Sequence, residues 1–329
     1  MKLLLKILGA LVVAVVAILG GFLAVTWAPD LPVDELKARW APAPSQFIEV
    51  RGMQVHLRDE GRRDDPVPIV LLHGTSASLH TWDGWVEALQ GSRRVIRFDL
   101  PGFGLTGPEP SNNYRMESYV GFVTEVLDQL GVERFVLAGN SLGGRIAWST
   151  AVAHPQRVTQ LILVDSSGYP MRAKSMPIGF RIAQMPVLNQ LMELTLPRSM
   201  VESSVHDVYA DPSLVTEELV DRYYELTLRE GNRGALRERF SQLSSYEDSV
   251  RIKSIQQPTL IIWGAQDQLL PVDDAIRFAQ EIQGSEFALF ENLGHVPQEE
   301  DPAGTVAAVI QFLEKQAASA TPAGEQTAL

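Results

Sequence analysis

The sequence contains no cysteine among its 329 residues. Disulfide bonds, thiolate catalysis, zinc–thiolate sites and a lipid anchor attached to cysteine are therefore excluded. Positive charge is also scarce, because 28 lysines and arginines stand against 40 aspartates and glutamates and leave a formal net charge of -12 at pH 7. A negative charge of this size argues against nucleic acid as a partner. The apolar fraction of 45% predicts a packed globular body.

Charge is missing entirely from residues 7–28, which form an apolar run directly after Lys2 and Lys6. As an α-helix this run would be about 30 Å long, enough to cross the hydrocarbon core of a bilayer. Trp27 lies at its far end, where an interfacial aromatic residue is expected. We interpret residues 1–28 as an uncleaved, single-pass transmembrane anchor, with a cleaved signal peptide as the alternative. In both cases the positive-inside rule puts the rest of the chain on the side opposite the lysines, which is the periplasm in a bacterium.

Strands and helices are predicted to alternate through most of the remaining chain. Short apolar, β-branched runs such as residues 67–72 alternate with amphipathic segments such as 116–130, which is typical of a mostly parallel sheet with helices on both faces. The fold class is therefore α/β, and eight strands can be recognised, the first two as a β-hairpin at a sheet edge. The predicted boundaries are a linker with one short helix (29–45), the first part of the core (46–168), an all-helical cap insertion (169–249), the second part of the core (250–316) and a disordered tail (317–329).

The stretch Gly139-Asn140-Ser141-Leu142-Gly143 lies between one of these strands and a run with helical spacing. A Gly-x-Ser-x-Gly pattern between a strand and a helix predicts a nucleophile elbow, a sharp turn that presents the serine hydroxyl at the end of the sheet. The two glycines are needed because a Cβ at either position would collide with a neighbouring strand or helix. The pentapeptide alone is a weak signal, and the flanking strand and helix strengthen it.

A serine hydroxyl becomes a good nucleophile only when a base removes its proton, and the base needs a carboxylate to orient it. The chain offers Ser141, Asp267 and His295 in that order, each at the end of a predicted strand. The loops after parallel strands open on one face of the sheet, so the three side chains can converge into a catalytic triad. Asp165, after the preceding strand, is the alternative acid, and His80 is the alternative histidine.

The oxyanion of a tetrahedral intermediate needs two hydrogen-bond donors. We expect the backbone amide of Leu142, at the start of the elbow helix, to be one of them. The second is expected from the amide of Thr75, in the loop that follows the strand ending at His73. His73 is interpreted as structural, and Ser76 is a candidate for the substrate pocket. Neither a metal ion nor an organic cofactor is required by this chemistry.

The predicted helical insertion is rich in methionine and aromatic residues. An insertion after a strand end lies over the ligand end of such a sheet, and these side chains suit an adaptable apolar pocket. The alternative is that most of them simply pack the insertion against the core. The residues concerned are Met171, Met176, Phe180, Met185, Met192, Met200, Tyr209, Tyr223 and Tyr224.

Taken together, these motifs resemble those of the α/β-hydrolases that carry a helical cap. They are His73-Gly74-Thr75, Asp99-Leu100-Pro101-Gly102-Phe103-Gly104, Gly139-Asn140-Ser141-Leu142-Gly143-Gly144, Gly264-Ala265-Gln266-Asp267 and Gly294-His295. The resemblance implies an α/β-hydrolase fold over roughly residues 47–316. Haloalkane dehalogenases and epoxide hydrolases are excluded, because they carry aspartate at the elbow where this chain has Ser141.

The nearest-looking group is the meta-cleavage-product hydrolases, which split a carbon–carbon bond in vinylogous 1,5-diketones. They are similar in the Gly-Asn-Ser-x-Gly-Gly elbow and in the cap segment 214–219. Their cap arginine, which holds the substrate carboxylate, falls at Tyr223 here, and Arg222 lies one place early, about 100° around a helix. Their tryptophan after the catalytic histidine is replaced by Val296.

From this pattern we expect a membrane-tethered serine hydrolase that cleaves carboxylic esters of small or medium acyl groups. Carbon–carbon bond hydrolysis is the second reading, with a ketone substrate and Asn140 and Arg222 as the residues to test. The expected pocket residues are Ser76, Asn140, Arg222, Tyr223 and Val296. A non-catalytic ligand sensor of the same fold is the third reading, disfavoured because all three triad residues are present. The sequence carries no signal for an oligomeric state.

Overall fold

One sheet of eight strands organises the computed structural model, which describes residues 2–170, 172–185, 188–191, 193–242 and 246–320. The strand order is β1-β2-β4-β3-β5-β6-β7-β8, with β1 and β2 antiparallel to their neighbours and all later pairs parallel. This confirms the predicted eight-stranded, mostly parallel sheet. The strands are β1 (Gln46–Val50), β2 (Met53–Gly61), β3 (Ile69–Leu72), β4 (Arg94–Phe98), β5 (Phe135–Asn140), β6 (Val158–Val164), β7 (Thr259–Gly264) and β8 (Glu286–Phe290).

Helices connect the strands and extend the chain at both ends. They are α1 (Lys2–Thr26), α2 (Val33–Trp40), α3 (Asp83–Leu89), α4 (Met116–Gln129), α5 (Leu142–Ala153), α6 (Ile178–Ala183), α7 (Leu188–Leu191), α8 (Arg198–His206), α9 (Glu217–Leu228), α10 (Asn232–Ser241), α11 (Val272–Glu281), α12 (Pro297–Glu300) and α13 (Pro302–Ala320). Short 3-10 helices occupy Leu79–Trp82, Pro212–Leu214 and Glu247–Ser254.

The central strands are buried on both faces because successive residues point to opposite sides and helices cover each side. Ile69 and Leu71 of β3 pack in an apolar cluster with α3 and α13. Val70 and Leu72 pack in a second cluster with α4, α5 and α11. Both faces of the central strands therefore read as apolar, which explains the continuous apolar runs in the sequence.

The insertion between β6 and β7 contains α6 to α10, and its described residues form helices and no strand. Its place in the chain agrees with the segment that the sequence predicted to be helical. Two of the methionines expected in it, Met171 and Met192, lie outside the described residues.

α1 is long and apolar enough to cross a membrane between Leu4 and Thr26, a test that a signal sequence also passes. The linker after it contains the predicted short helix as α2, and it packs on the insertion. The amide of Leu31 donates to the carbonyl of Leu228 at 2.7 Å. The indole Nε1 of Trp40 donates to Glu225 Oε2 at 2.7 Å.

The last helix, α13, runs to Ala320, past the end predicted at residue 316. Residues 317–320, predicted as the start of a disordered tail, are therefore helical. The rest of that tail, 321–329, lies outside the described residues.

Candidate active site

Ser141 lies at the sharp turn between β5 and α5, where it adopts φ +55° and ψ −113°. A positive φ is strained for a residue with a side chain, and such strain is typical of a nucleophile elbow. The two glycines of the motif allow the turn: a Cβ on Gly139 would collide with the backbone of Gly143, and a Cβ on Gly143 would collide with the carbonyl of Leu72 in β3. The sequence motif thus has the structural setting that it predicts.

Asp267 and His295 form a buried hydrogen-bonded pair beside this turn. The Nδ1 atom of His295 lies 2.7 Å from Asp267 Oδ2. Asp267 Oδ1 accepts the amides of Leu269 and Leu270 at 2.7 Å and 3.0 Å, so the carboxylate is held at both oxygens. A proton on Nδ1 facing the carboxylate leaves Nε2 of His295 as the free basic nitrogen.

The loop after β3 lies against the elbow and brings Thr75 to the same cavity as Ser141. Leu142 is the first residue of α5, so its amide has no partner within the helix. His73 holds the loop in place: its Nδ1 donates to the Gly74 carbonyl at 2.7 Å, and its Nε2 accepts the amide of Leu100 at 2.9 Å. Burial lowers the pKa of His73, which fits a neutral ring in these two bonds.

Ser141 and His295 face a cavity of about 100 Å³ between the core and the insertion. Its walls are largely apolar, and its lining includes no lysine or arginine among the described residues. The insertion contributes Pro177, Gly179, Phe180, Leu196, Met200, Val201, Ser204, Val205, Val208, Tyr223, Thr227 and Leu236, and the core contributes Gly74, Thr75, Ser76, Ala77, Asn140, Ser141, Leu269, His295 and Val296.

Four of the five expected pocket residues line this cavity: Ser76, Asn140, Tyr223 and Val296. The Asn140 side chain is committed to the backbone, since its Nδ2 donates to the carbonyls of Val164 at 3.2 Å and His295 at 3.0 Å. Among the insertion residues expected to form a pocket, Phe180, Met200 and Tyr223 line the cavity.

The fifth expected residue, Arg222, lies outside the lining of the cavity, and its Nη2 contacts Glu299 Oε2 at 3.2 Å. Burial is the largest single influence and acts to lower the pKa of Arg222, but the acidic groups around it, Glu299 foremost, together raise that pKa. The offset of one residue noted for Arg222 in the sequence therefore agrees with a side chain that points to Glu299 and not into the cavity.

Glu299 accepts hydrogen bonds from residues of both the core and the insertion. Besides Arg222 it accepts hydrogen bonds from the hydroxyls of Tyr209 at 2.8 Å, Tyr223 at 2.9 Å and Thr81. Burial and the neighbouring carboxylate raise the pKa of both tyrosines. Sequence reasoning missed this group, and its only signal was a pair of acidic residues shortly after the candidate histidine.

The adjacent Glu300 fastens the histidine loop to the insertion. Its Oε1 accepts the amide of Gly294 at 2.6 Å, and its Oε2 accepts the amide of Ala210 at 2.7 Å. The amide of His295 itself donates to the carbonyl of Val208 at 2.8 Å. The position of the candidate base therefore depends on contacts with the insertion.

The alternative residues from the sequence, His80 and Asp165, are also buried. The ring of His80 is occupied, with Nδ1 at 2.9 Å from Ser78 Oγ and Nε2 at 2.8 Å from the Trp40 carbonyl. Burial lowers the pKa of His80 to about 3. Asp165 is close to the pair described above: ligand-type atoms of Asp165, Asp267 and His295 all lie within 4.8 Å of one another.

Comparison with known proteins gives a consistent family. A family model described as the alpha/beta hydrolase fold matches residues 67–302. The chain is 30% identical over 280 residues to a 2-hydroxy-6-oxo-2,4-heptadienoate hydrolase of Pseudomonas putida, covering 82% of this chain and 95% of that protein.

Solved structures agree with this result. A meta-cleavage product hydrolase (CumD) of Pseudomonas fluorescens matches with a TM-score of 0.70 and 25% identity over 83% of this chain and 98% of its own. A bacterial membrane phospholipase A matches in fold, with a TM-score of 0.70 and 23% identity over 96% of this chain and 99% of its own. The family model covers most of the chain, and the sheet order and elbow agree with it, so this protein belongs to the α/β-hydrolase family.

Proposed function

We propose that this hydrolase uses Ser141 as its nucleophile, His295 as its base and Asp267 as the residue that orients the base. The observation that carries the proposal is the 2.7 Å contact between His295 Nδ1 and Asp267 Oδ2, with His295 and Ser141 in one cavity. The amides of Thr75 and Leu142 are proposed as the oxyanion donors. No metal or organic cofactor enters the scheme.

In this mechanism Ser141 Oγ attacks a substrate carbonyl carbon while His295 Nε2 takes the hydroxyl proton. The tetrahedral intermediate collapses, the bond next to the carbonyl breaks, and His295 returns the proton to the leaving group. Water then adds to the acyl–serine ester, again with His295 as the base, and releases the acid product and free serine. In each half-reaction His295 takes up one proton and gives it back, so the ring ends in the state in which it began.

The bond that is broken is proposed to be a carbon–carbon bond of the meta-cleavage type. The curated relative from Pseudomonas putida acts on a 2-hydroxy-6-oxo-dienoate, and the neighbour from Pseudomonas fluorescens is a meta-cleavage product hydrolase. These likenesses favour carbon–carbon hydrolysis over the ester hydrolysis that the sequence motifs alone suggested. The leaving group in that reaction is a carbon fragment, which must receive its proton from His295 or water.

Ester hydrolysis is kept as a second candidate because of one feature of the cavity. The described residues that line it include no cationic side chain, and Arg222 pairs with Glu299 instead. A dienoate substrate carries a carboxylate that such an apolar cavity would leave without a partner. A neutral ester with an apolar acyl group would fit the lining without that cost.

The insertion is proposed to act as a cap that moves during turnover. Ligand pockets for small organic molecules usually measure about 300–1,000 Å³. The cavity here measures about 100 Å³, and the insertion supplies most of its apolar wall. Substrate entry therefore requires the insertion to shift away from the core.

We further propose that α1 is an uncleaved anchor, with the catalytic body on the side opposite Lys2 and Lys6. The motivating observation is an apolar helix from Leu4 to Thr26 whose most apolar stretch is not buried against the rest of the described chain. Membrane fractionation with N-terminal sequencing tests it: an intact N-terminus in the detergent-soluble fraction supports the anchor. A mature protein that starts after residue 28 would identify a signal peptide.

Labelling with a fluorophosphonate probe tests the proposed serine, with Ser141→Ala as the control. Labelling that disappears in the variant is the expected result. A ring-fission dienone and a series of nitrophenyl esters are then compared by kcat/KM on the same preparation. A folded wild type that takes no label and turns over neither class of substrate would overturn the proposal and favour the sensor reading. A Ser141→Ala variant that keeps the wild-type activity would overturn Ser141 as the nucleophile.

A further inference from the structure

A second buried carboxyl group, that of Asp165, lies behind the proposed triad. Asp165 follows β6 directly and is fully buried, with a backbone φ of +40°. Its Oδ1 accepts the amide of Gly264, at the end of β7, at 3.1 Å. Carboxylate oxygens of Asp165 and Asp267 lie within 4.8 Å of each other.

Among the described residues, the titratable groups that act on Asp165 are acidic or belong to the proposed triad. Asp267 comes from the loop after β7, His295 from the loop after β8 and Glu300 from α12. Among the described residues no lysine or arginine forms an ion pair with Asp165 or Asp267. Two ionised carboxylates this close in a buried site repel each other strongly, which favours a proton on one of them.

The proton belongs on Asp165 rather than on Asp267. Asp267 accepts the amides of Leu269 and Leu270 with Oδ1 and faces the His295 ring with Oδ2, so both of its oxygens already serve these contacts. Asp165 has one strong amide donor, from Gly264. Burial, and then the charge of Asp267, raise the pKa of Asp165 well above its usual range.

We propose that Asp165 is a positioning residue of the triad, a neutral carboxylic acid that donates its proton in a hydrogen bond to Asp267 and holds that carboxylate toward His295. The proposal rests on the proposed function of Asp267 and His295. It assigns one negative charge to the two aspartates together. The base therefore faces a carboxylate whose charge is partly neutralised by a hydrogen bond, which limits how strongly the protonated ring is stabilised.

Asp165→Asn is the discriminating variant. An asparagine can accept the Gly264 amide with its Oδ1 and donate to Asp267 with its Nδ2, so it reproduces both bonds of a protonated aspartate. We expect kcat/KM within about threefold of the wild type and the acidic limb of its pH profile in the same place. If Asp165 were ionised in the wild type, the substitution would remove a charge near the base and move that limb to lower pH, which overturns the proposal.

Asp165→Ala removes the donor altogether. We expect kcat to fall by about tenfold or more, as for the loss of a hydrogen bond to a charged group, with KM little changed. The acidic limb should move to higher pH, because Asp267 then presents its full charge to the base. Equal kcat and pH profiles for Asp165→Ala and the wild type would also overturn the proposal. If the alanine variant does not fold, the asparagine variant still decides between a neutral and an ionised Asp165.

Asp274→Asn serves as the matched control. Asp274 is another buried aspartate whose pKa is raised by burial, but it pairs with Arg172 and lies outside the lining of the cavity. Its substitution should leave the pH profile in place.

Fluorophosphonate labelling of the wild type distinguishes failure of this proposal from failure of the proposed function. If the wild type is labelled but the Asp165 variants do not behave as expected, only the role of Asp165 is rejected. An unlabelled, folded wild type that turns over neither class of substrate rejects the proposed function itself.

Discussion

The guanidinium of Arg222 contacts the carboxylate of Glu299 at 3.2 Å and forms an ion pair between the insertion and the core. It is therefore not directed at the cavity that contains Ser141. In the meta-cleavage-product hydrolases that the sequence resembles, a cap arginine holds the substrate carboxylate. A role of that kind for Arg222 would require the ion pair with Glu299 to break.

Substitution of Arg222 tests this relationship. We expect Arg222→Gln to change KM for an acidic dienone by less than about threefold. It should lower the free energy of unfolding by about 1–3 kcal/mol, because Glu299 loses a charged donor in a buried site. Steady-state kinetics and urea denaturation give the two quantities. A KM that rises more than tenfold for the dienone but not for a neutral ester would show that Arg222 binds substrate.

Arg39→Gln is the control for that experiment. Arg39 also pairs with acidic residues of α9, through Asp221 at 3.1 Å, but its side chain is exposed. Exposed pairs of this kind contribute about 0–1 kcal/mol, so the variant should be near wild type in stability and in KM.

Substitution of the proposed orienting acid should affect turnover far more than binding. We expect Asp267→Asn to lower kcat by about 10⁴-fold, since the amide favours the wrong tautomer of His295. The KM should stay within a few-fold, because Asp267 does not line the cavity among the described residues. If Asp165→Asn instead produces the large loss and Asp267→Asn a small one, the assignment of the acid is reversed.

The apolar wall of the cavity should set the acceptable size of the acyl group. Val205 is 3% exposed and lines the cavity from α8. Val205→Phe should lower kcat/KM for long-chain nitrophenyl esters by about tenfold or more, because a well-packed wall has no room for the added ring. The acetate ester should change by less than threefold. Val250→Phe, at an exposed position, is the control, and an equal loss for all chain lengths would point to a general packing defect.

The raised pKa of Asp165 also predicts how stability depends on pH. In the unfolded chain this carboxyl loses its proton near its usual pKa of about 3.9, whereas the folded protein keeps it. Above that pH the unfolded state binds fewer protons than the folded state at this residue, so the residue's contribution to stability falls as the pH rises. Asp165→Asn lacks the titration. The unfolding free energy of the variant minus that of the wild type should therefore increase from pH 4 to pH 7, as measured by urea denaturation at each pH. A constant difference would mean that Asp165 ionises alike in both states.

The sheet and the order of the candidate residues could be read from the sequence because their signals are local. The β-branched runs gave the strands, and the spacing of Gly139, Ser141 and Gly143 gave the turn. Asp267 and His295 were found because each lies in the loop after a strand, and parallel strands end on one side of the sheet. The roles of these residues remain predictions until the variants are measured.

The contacts of Glu299 could not be predicted, because they join residues that are far apart in the sequence. Thr81 and Tyr209 reach Glu299 from separate elements, and nothing in the spacing of these residues relates them. The direction of Arg222 has a similar origin: the hydrophobic pattern of α9 places the residue near the core but does not select its partner. The end of α13 was missed because alanines continue a helix without an apolar period.

The packing of the linker on the insertion has a practical consequence for making the protein without α1. Asp30 pairs with Arg233 at 2.6 Å, and Leu31 and Trp40 bond to α9. A shortened protein that starts at Asp30 retains all three attachments. A shortened protein that starts at residue 46, where the first strand begins, loses all three attachments and exposes the surface of the insertion that the linker covers. The insertion would then be held less firmly, so the turnover rate of this shorter protein would differ from that of the native enzyme.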